Sequence, residues 1–186
     1  MTSPKRSLKF AMLALAAATL ATGVGVTLPQ PASAQSGLTI FGGVEAEYRL
    51  RYFIDFNRPR NRNSRYYLQV PTTKVVRDVL SLEIEYPESF TARRGRLNPD
   101  DIELRQGDWR GGETIPVQSI EWEDGSGRIV ITPEQPIPAN SNFVVVMRNV
   151  TNPNRYGYHY FNLNMMFQGD VLNQYVGTWP LELGVD

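Results

Sequence analysis

The single histidine of the sequence, His159, lies in an aromatic-rich segment at residues 151–161, "TNPNRYGYHYF". An imidazole can serve as a general base or as a metal ligand near neutral pH. One histidine cannot form a histidine metal cluster, and the sequence has no Gly-x-Ser-x-Gly elbow for a serine hydrolase. In a strand, alternate residues share a face, so His159 would lie with Phe161 and Leu163 on the apolar side. We therefore expect a packed imidazole rather than a catalytic one.

The opposite face of the same segment would carry tyrosines followed by amides. Tyr156, Tyr158 and Tyr160 occupy alternate positions, and Asn162 and Asn164 continue the row. Aromatic rings with an apolar body and a polar tip, flanked by amide groups, can form a platform for a carbohydrate. The alternative is that the tyrosines only support cross-strand packing. The three tyrosines are candidate ligand-binding residues.

A second candidate is the arginine-rich stretch at residues 58–67, "RPRNRNSRYY". Its candidate ligand-binding residues are Arg58, Arg60, Arg62 and Arg65. Guanidinium groups spaced along a loop can hold phosphate or carboxylate groups through paired hydrogen bonds. An acidic polysaccharide or a lipopolysaccharide would supply such groups outside the cell. The alternative is a solvated loop whose charges maintain solubility.

The acidic residues are the candidates for carboxylate and metal chemistry. Glu83 and Glu85 share the polar face of one predicted strand, about 7 Å apart. Inverting glycosidases use a similar separation, but they also need a cleft between the two groups. Residues 121–127, "EWEDGSG", lack the spaced ligands of a calcium loop. The sequence has no cysteine for a thiolate metal site and no glycine-rich motif for phosphate binding. It therefore predicts no enzyme, no metal and no cofactor.

Around these candidates, the sequence alternates between apolar and polar residues in the manner of β-strands. Segments rich in β-branched and aromatic residues predict strands at residues 48–56, 66–70, 79–86, 101–105, 115–122, 127–132, 143–150, 158–166 and 177–183. Turn signals such as "YPESF" and "LNPDD" separate them, and Asp124-Gly125 predicts a tight hairpin. Residues 72–80 and 168–176 could each form one or two helical turns.

These elements predict an all-β fold. The expected architecture is an antiparallel immunoglobulin-like β-sandwich of about nine strands with one or two short helices. A closed barrel is the structural alternative.

The first 34 residues predict a secretory signal peptide. Basic residues precede an apolar run at residues 10–26, and "ASA" ending at Ala34 has the small-x-small form of a cleavage site. The alternative is an uncleaved anchor, but the run falls short of the ~20 apolar residues that a span needs. We expect a signal peptide at residues 1–34 and a single β-sandwich domain at residues 35–186. The domain would be exported to the periplasm or the cell surface, with no stable membrane span after cleavage.

Cleavage would change the charge of the protein. It would remove three of the 19 basic residues and none of the 19 acids, leaving a net charge of −3. That balance argues against a nucleic-acid partner, because such a domain needs a basic field. The sequence contains no cysteine, so disulfides cannot stabilise the exported domain and its core must do so.

Several motifs are shared with a known family. They include "YRLRYFIDF", "IEYPESF", "LNPDDIEL", "IPVQSIEW", "GTW" and, as the most specific, "PIPANSNFVVVMRNVTNP". With them the sequence resembles the cyanobacterial secreted family known as domain of unknown function 2808, from about Leu38 to Leu183. The resemblance implies a signal peptide, a β-rich exported domain, a cyanobacterial source and no established activity. It also implies another aromatic residue at the place of His159, which argues against catalysis there.

Together these observations predict an exported, non-enzymatic module with a structural or protein-interaction role in the cell envelope. The alternative is a carbohydrate-binding module for envelope or extracellular polysaccharide, and a carboxylate-dependent hydrolase is the least favoured reading. The expected partner is accordingly an envelope protein or a polysaccharide.

Overall fold

The computed structural model describes residues 38–39, 43–123 and 125–184. The predicted signal peptide, residues 1–34, lies outside these described residues. Within them the strands are β1 (Leu38–Thr39), β2 (Gly43–Val44), β3 (Tyr52–Asp55), β4 (Ser64–Val70), β5 (Val79–Glu85), β6 (Ile102–Gln106), β7 (Thr114–Ile115), β8 (Val117–Glu123), β9 (Arg128–Pro133), β10 (Phe143–Val150), β11 (Gly157–Phe167) and β12 (Gln174–Leu183). One α-helix, α1 (Glu88–Ala92), and two 3₁₀ turns, Thr72–Lys74 and Pro99–Asp101, complete the described elements. No helix in this part of the chain is long and apolar enough to cross a bilayer.

Two five-stranded antiparallel sheets form a sandwich. The first has the order β3-β4-β10-β6-β7 and the second the order β12-β11-β5-β9-β8, while β1 and β2 pair separately. The order β3-β4-β10-β6 corresponds to strands A-B-E-D of the immunoglobulin fold, and β12-β11-β5 corresponds to G-F-C. The hairpin of β8 and β9 widens the second sheet. The prediction of an antiparallel immunoglobulin-like β-sandwich is therefore confirmed.

The core lies between the sheets and is built from alternate strand residues. In β11, every second side chain from His159 to Phe167 is buried, and those between are more exposed. Trp179 from β12 and Phe90 from α1 are also fully buried in this core. Burying an aliphatic or phenylalanine side chain contributes roughly 1.5–3 kcal/mol. This apolar cluster is the main source of stability in a chain that lacks cysteine.

Two predicted strands are each divided between the sheets. In the segment at residues 48–56, Leu50 N–H donates to Thr178 O at 2.9 Å, and Thr178 N–H donates to Tyr48 O at 2.8 Å. The chain then crosses to the first sheet, where β3 pairs with β4. At the other edge, Pro116 separates β7 in the first sheet from β8 in the second. Because proline has no N–H for the ladder, it is a natural point for the strand to change sheets.

The helix predictions were only partly right. Residues 72–80 contain the 3₁₀ turn Thr72–Lys74, but β5 already begins at Val79. The predicted helix at residues 168–176 is wrong. The chain reverses there between β11 and β12, with Gly169 at φ +90°, and β12 begins at Gln174. Hairpin closure therefore outweighs the weak helical pattern.

The "YPESF" turn contains an unpredicted short helix, α1. A five-residue helix has little stability of its own, so it depends on tertiary contacts. Its Phe90 ring meets Phe161 edge to face at 5.4 Å between centroids. The predicted hairpin between β8 and β9 is present, although Asp124 itself lies outside the described residues.

His159 points into the core, as the alternation predicted. It is fully buried, and its ring meets Phe90 edge to face at 5.7 Å. Nδ1 lies 3.2 Å from Ser89 Oγ, whereas Nε2 has no hydrogen-bond partner within the described part of the chain. Burial, followed by the positive charge of Arg93, lowers the pKa of His159 from 6.5 to about 4. The imidazole is therefore neutral at pH 7 and shielded from any substrate.

We expect His159 to make the domain sensitive to acid. Below pH 6.5 the unfolded chain binds a proton at this residue that the folded chain excludes down to about pH 4. His159 therefore has little effect on stability well above pH 6.5, and it lowers the free energy of unfolding as the pH falls, by about 2.5 kcal/mol at pH 4.5. Between pH 7.5 and pH 4.5, urea unfolding should show a smaller loss of stability for His159→Phe than for the wild type. Equal losses in the two proteins would contradict this role.

Candidate functional site

Four arginines surround an open cavity of about 560 Å³, called here the arginine pocket. Its lining residues are Arg60, Arg62, Arg94, Arg96, Thr151, Asn152 and Asn154. The four arginines are exposed, and no carboxylate is among the lining residues. None of the four forms an ion pair with an acid in the described part of the chain. Their guanidinium groups are therefore available to an external anion.

Three segments build this pocket, and the connection at residues 151–156 between β10 and β11 lies in the middle. On one side it bonds to the segment that follows α1. Thr151 N–H donates to Arg96 O at 2.9 Å, and Arg96 N–H donates back to Thr151 O at 3.0 Å. Asn154 N–H also donates to Arg93 O at 2.8 Å. These bonds fix the backbone from which Arg94 and Arg96 project.

On its other side, the same connection bonds to the loop at residues 57–63, between β3 and β4. Asn152 N–H donates to Asn61 O at 2.7 Å. Arg60 N–H donates to Pro153 O at 3.1 Å. The arginine-rich loop is therefore held by backbone hydrogen bonds, and Arg60 and Arg62 project from a defined frame.

The side chain of Asn152 secures this frame from inside the protein. It is buried, its Oδ1 accepts a hydrogen bond from Tyr66 Oη at 2.7 Å, and its Nδ2 donates to Phe56 O and Arg58 O at 3.2 and 2.9 Å. Burial raises the pKa of Tyr66, so the phenol stays protonated and remains a donor. The Asn152 amide therefore serves the structure of the pocket rather than a ligand.

Two of the pocket arginines have left-handed backbone conformations. The φ angles are +62° for Arg60 and +67° for Arg94. Such a conformation costs a residue other than glycine roughly 1–2 kcal/mol. Arg94 follows the end of α1, where its N–H donates to Thr91 O at 2.8 Å, and this is a position at which glycine is usual. The surrounding hydrogen bonds hold both arginines in these conformations.

The predicted arginines divide into two groups. Arg60 and Arg62 line the pocket, whereas Arg58 and Arg65 do not. Arg58 supplies a backbone carbonyl to Asn152, and Arg65 lies on β4 with its Nη1 donating to Tyr67 Oη at 3.4 Å. The sequence reading missed Arg94 and Arg96. The basic run "ARRGR" at residues 92–96 was a usable signal.

The predicted tyrosine face is present, but it is not flat. Tyr156 and Tyr158 are each 52% exposed, and their rings meet edge to face with centroids 5.9 Å apart. Tyr156 Oη donates to Glu182 Oε1 at 2.7 Å, and Tyr160 is half-buried. The two exposed rings therefore form a corner rather than one plane. Binding of carbohydrate at these tyrosines stays a prediction.

The acidic residues favour a structural role over hydrolysis. Glu83 accepts hydrogen bonds from Arg128 at 3.2 Å, Asn173 at 3.1 Å and Asn164 at 3.4 Å. Its carboxylate is thus engaged within the outer face of the second sheet. The described residues include no group of three or more His, Cys, Asp or Glu side chains placed to hold a metal ion.

A family model described as "Protein of unknown function (DUF2808)" matches residues 38–183. The chain belongs to this family. The resemblance drawn from the sequence motifs is therefore confirmed, and the matched range contains both β-sheets and the arginine pocket. A cyanobacterial source stays a prediction.

Several solved structures resemble the fold. An uncharacterized Nocardia farcinica protein with an immunoglobulin-like fold has 12% identity and a TM-score of 0.45, covering 74% of this chain and 99% of that one. The collagen-binding domain of a Staphylococcus aureus adhesin has 11% identity and a TM-score of 0.40, covering 70% and 93%. The collagen-binding domain of Erysipelothrix rhusiopathiae RspB has 12% identity and a TM-score of 0.40, covering 70% and 45%. These likenesses concern the fold and do not extend to what those proteins bind. No curated protein matches the chain.

Loss of the Asn152 side chain should loosen the arginine pocket. Tyr66→Phe leaves one amide oxygen unpaired and should cost about 1–3 kcal/mol of unfolding free energy. Asn152→Ala breaks all three side-chain bonds, so it should cost more and should speed tryptic cleavage after Arg60 or Arg62. Asn154→Ala is the matched control, because the main-chain bond of Asn154 remains. Equal stability and equal cleavage rates in Asn152→Ala and Asn154→Ala would contradict this role.

Proposed function

We propose that this protein is an exported, non-enzymatic module that attaches to an acidic polysaccharide of the cell envelope through the arginine pocket. The observation that carries the proposal is the convergence of Arg60, Arg62, Arg94 and Arg96 on one cavity without a neutralising carboxylate. Arginine suits this task because its planar fork matches the geometry of carboxylate, sulfate and phosphate groups.

The volume and lining of the pocket favour a ligand of modest size that carries both hydroxyl groups and a negative charge. A volume of about 560 Å³ lies within the ~300–1,000 Å³ range of small-ligand sites, so the pocket suits one or two sugar residues rather than a long helix. Thr151 and Asn154 add hydroxyl and amide groups beside the guanidinium groups. These groups can bind sugar hydroxyls while the arginines bind the charged substituent. The acidic balance of residues 35–186 disfavours a nucleic-acid ligand.

The chemistry of the described residues supports binding without catalysis. A nucleophilic mechanism needs a nucleophile and a base within hydrogen-bonding reach of each other and of the substrate. The chain's one histidine is buried and neutral, and Glu83 is engaged by three hydrogen bonds. Neither residue lines the arginine pocket.

Export should leave a mature chain that begins at Gln35. We propose that residues 1–34 direct secretion and are then removed, because "ASA" precedes this position. Mass spectrometry of protein recovered from the periplasm or the culture medium should identify a first peptide starting at Gln35. An intact Met1 in the membrane fraction would contradict cleavage.

Charge reversal in the pocket should strongly weaken attachment to acidic polysaccharide. We expect wild-type protein to be retarded by alginate or dextran sulfate in affinity gels, and Arg62→Glu/Arg96→Glu to bind at least ~10-fold more weakly, since each charged hydrogen bond contributes about 1.5–3 kcal/mol. Retardation should also weaken as salt is added.

Two controls separate the pocket from general charge. Arg155→Glu reverses an exposed arginine that does not line the pocket, so it should bind nearly as well as wild type. Uncharged dextran should not compete for the pocket. No retardation of the wild type, or equal weakening by Arg155→Glu, would refute the proposal.

A further inference from the structure

An exposed tryptophan lines a second recess, at the edge of the sandwich where residues 48–52 cross from the second sheet to the first. Trp109 is 60% exposed and belongs to the loop between β6 and β7. Two adjoining cavities of about 540 and 420 Å³ share Arg49, Leu50, Arg51, Gln69 and Asp108 as lining residues. The larger one also has Trp109, Tyr52 and Pro180 in its wall. We call the two together the tryptophan groove.

The indole of Trp109 is exposed but held in place. Its ring stacks on Phe53, with centroids 5.3 Å apart and planes 26° apart. The next residue, Arg110, lies over the rings of Phe53 and Tyr67 at 5.2 and 5.5 Å and pairs with Asp55 at 2.9 Å. Because these contacts already restrict the side chain, a ligand that binds to it would cost less conformational entropy.

The backbone of the loop is equally constrained. Gly107 N–H donates to Asn142 O at 2.9 Å, and Gly112 N–H donates to Gln106 O at 2.6 Å. Gly111 packs closely against the side chain of Arg105, and a Cβ at this position would collide with that side chain. Trp109 itself has a φ of +58°, an unfavourable conformation for a bulky residue. Strain of this kind persists where the surrounding structure enforces it, and it is common at ligand sites.

The groups around the indole include both hydrogen-bond donors and hydrogen-bond acceptors. Asp108 offers acceptors, Arg51 offers donors, and the Gln69 amide offers both. Asp108 and Arg51 line the same recess without forming an ion pair in the described part of the chain. A fixed aromatic surface bordered by donors and acceptors matches a ligand with one apolar face and a polar rim.

A neutral sugar ring has this chemistry. Its C–H bonds form an apolar face that can cover an indole, and its hydroxyls both donate and accept at the rim. A purely apolar peptide side chain would leave these polar groups unpaired at a cost, whereas sugar hydroxyls can pair with Asp108, Arg51 and Gln69 alike. We infer that the tryptophan groove binds a neutral hexose unit, stacked on Trp109 and hydrogen-bonded by Asp108, Arg51 and Gln69.

This site is separate from the arginine pocket. Gln69 is near the last residue of β4, whereas the loop at residues 57–63 precedes the first residue of that strand. No residue lines both the arginine pocket and the tryptophan groove. Binding of a neutral sugar at the tryptophan groove therefore does not require binding of acidic polysaccharide at the arginine pocket.

Affinity electrophoresis with neutral polymers tests the inference directly. Gels containing soluble starch, laminarin, galactomannan or uncharged dextran should include at least one that retards the wild type. Trp109→Ala should bind that polymer at least 10-fold more weakly. Phe56→Ala is the matched control, because Phe56 is 68% exposed and does not line the groove. Failure of all four polymers to retard the wild type, or unchanged retardation of Trp109→Ala, would overturn the inference.

Tryptophan fluorescence provides a second readout of the same site. The chain has three tryptophans, of which Trp179 is fully buried and Trp122 is 40% exposed with its Nε1 donating to Tyr86 Oη. Oligosaccharides of the retarding polymer should shift the emission of the wild type and leave that of Trp109→Ala unchanged. An equal shift in both proteins would place the ligand elsewhere.

A cross-test distinguishes the two sites. Arg62→Glu/Arg96→Glu should keep its retardation by the neutral polymer, and Trp109→Ala should keep its retardation by alginate or dextran sulfate. Loss of both activities in either correctly folded variant, with thermal unfolding as the check on folding, would show one shared site and would overturn the inference.

Discussion

A buried amide is the interaction on which the most distinctive part of this molecule depends. Asn152 lies between the two loops that carry the pocket arginines. Its side chain accepts a hydrogen bond from one phenol and donates to two backbone carbonyls. A buried polar group is costly unless its hydrogen bonds are complete, so the arrangement strongly favours one loop conformation. The same low-dielectric surroundings that penalise an unpaired amide strengthen the bonds that are made. The amide fixes the loop that carries Arg60 and Arg62. Main-chain bonds of the neighbouring Thr151 and Asn154 hold the segment that carries Arg94 and Arg96, so four like charges can converge at the surface.

The two proposed sites share a design although they lie at different ends of β4. In each, a loop that carries an unusual backbone conformation is held to the first sheet, at Arg60 and Arg94 in one case and at Trp109 in the other. The sheet supplies rigidity and the loops supply chemistry, which is the usual division of labour in β-sandwich domains. One site presents unpaired positive charge and the other an aromatic surface. Together they would allow a single domain to contact both the charged and the neutral units of a mixed glycan.

Sequence reasoning succeeded where one face of an element is buried along its whole length. The alternation through β11 placed His159 inward because a shift of one residue would have exposed five core side chains. It failed where tertiary contacts decide. Helix α1 forms because Phe90 fits against core rings, and the weak helical pattern at residues 168–176 gives way to a hairpin. Arg94 was missed because nothing local indicates that residues 93–96 meet residues 60–62 across the connection at Asn152. The orientation of the Trp109 ring likewise depends on its stacking against Phe53, which lies more than 50 residues earlier in the sequence.

The crossing at residues 48–50 also bears on how the domain would respond to force. Arg49 is bridged to Thr178 in parallel orientation, and the hydrogen bonds of Tyr48 and Leu50 with Thr178 lie side by side. Tension applied through the chain before residue 48 and the chain after β12 would load these bonds along the strand axis. Bonds loaded in this way must break together, whereas the bonds of a hairpin opened from its end break one by one. The sandwich would therefore resist pulling through shear, a property that would suit the proposed attachment to a polysaccharide.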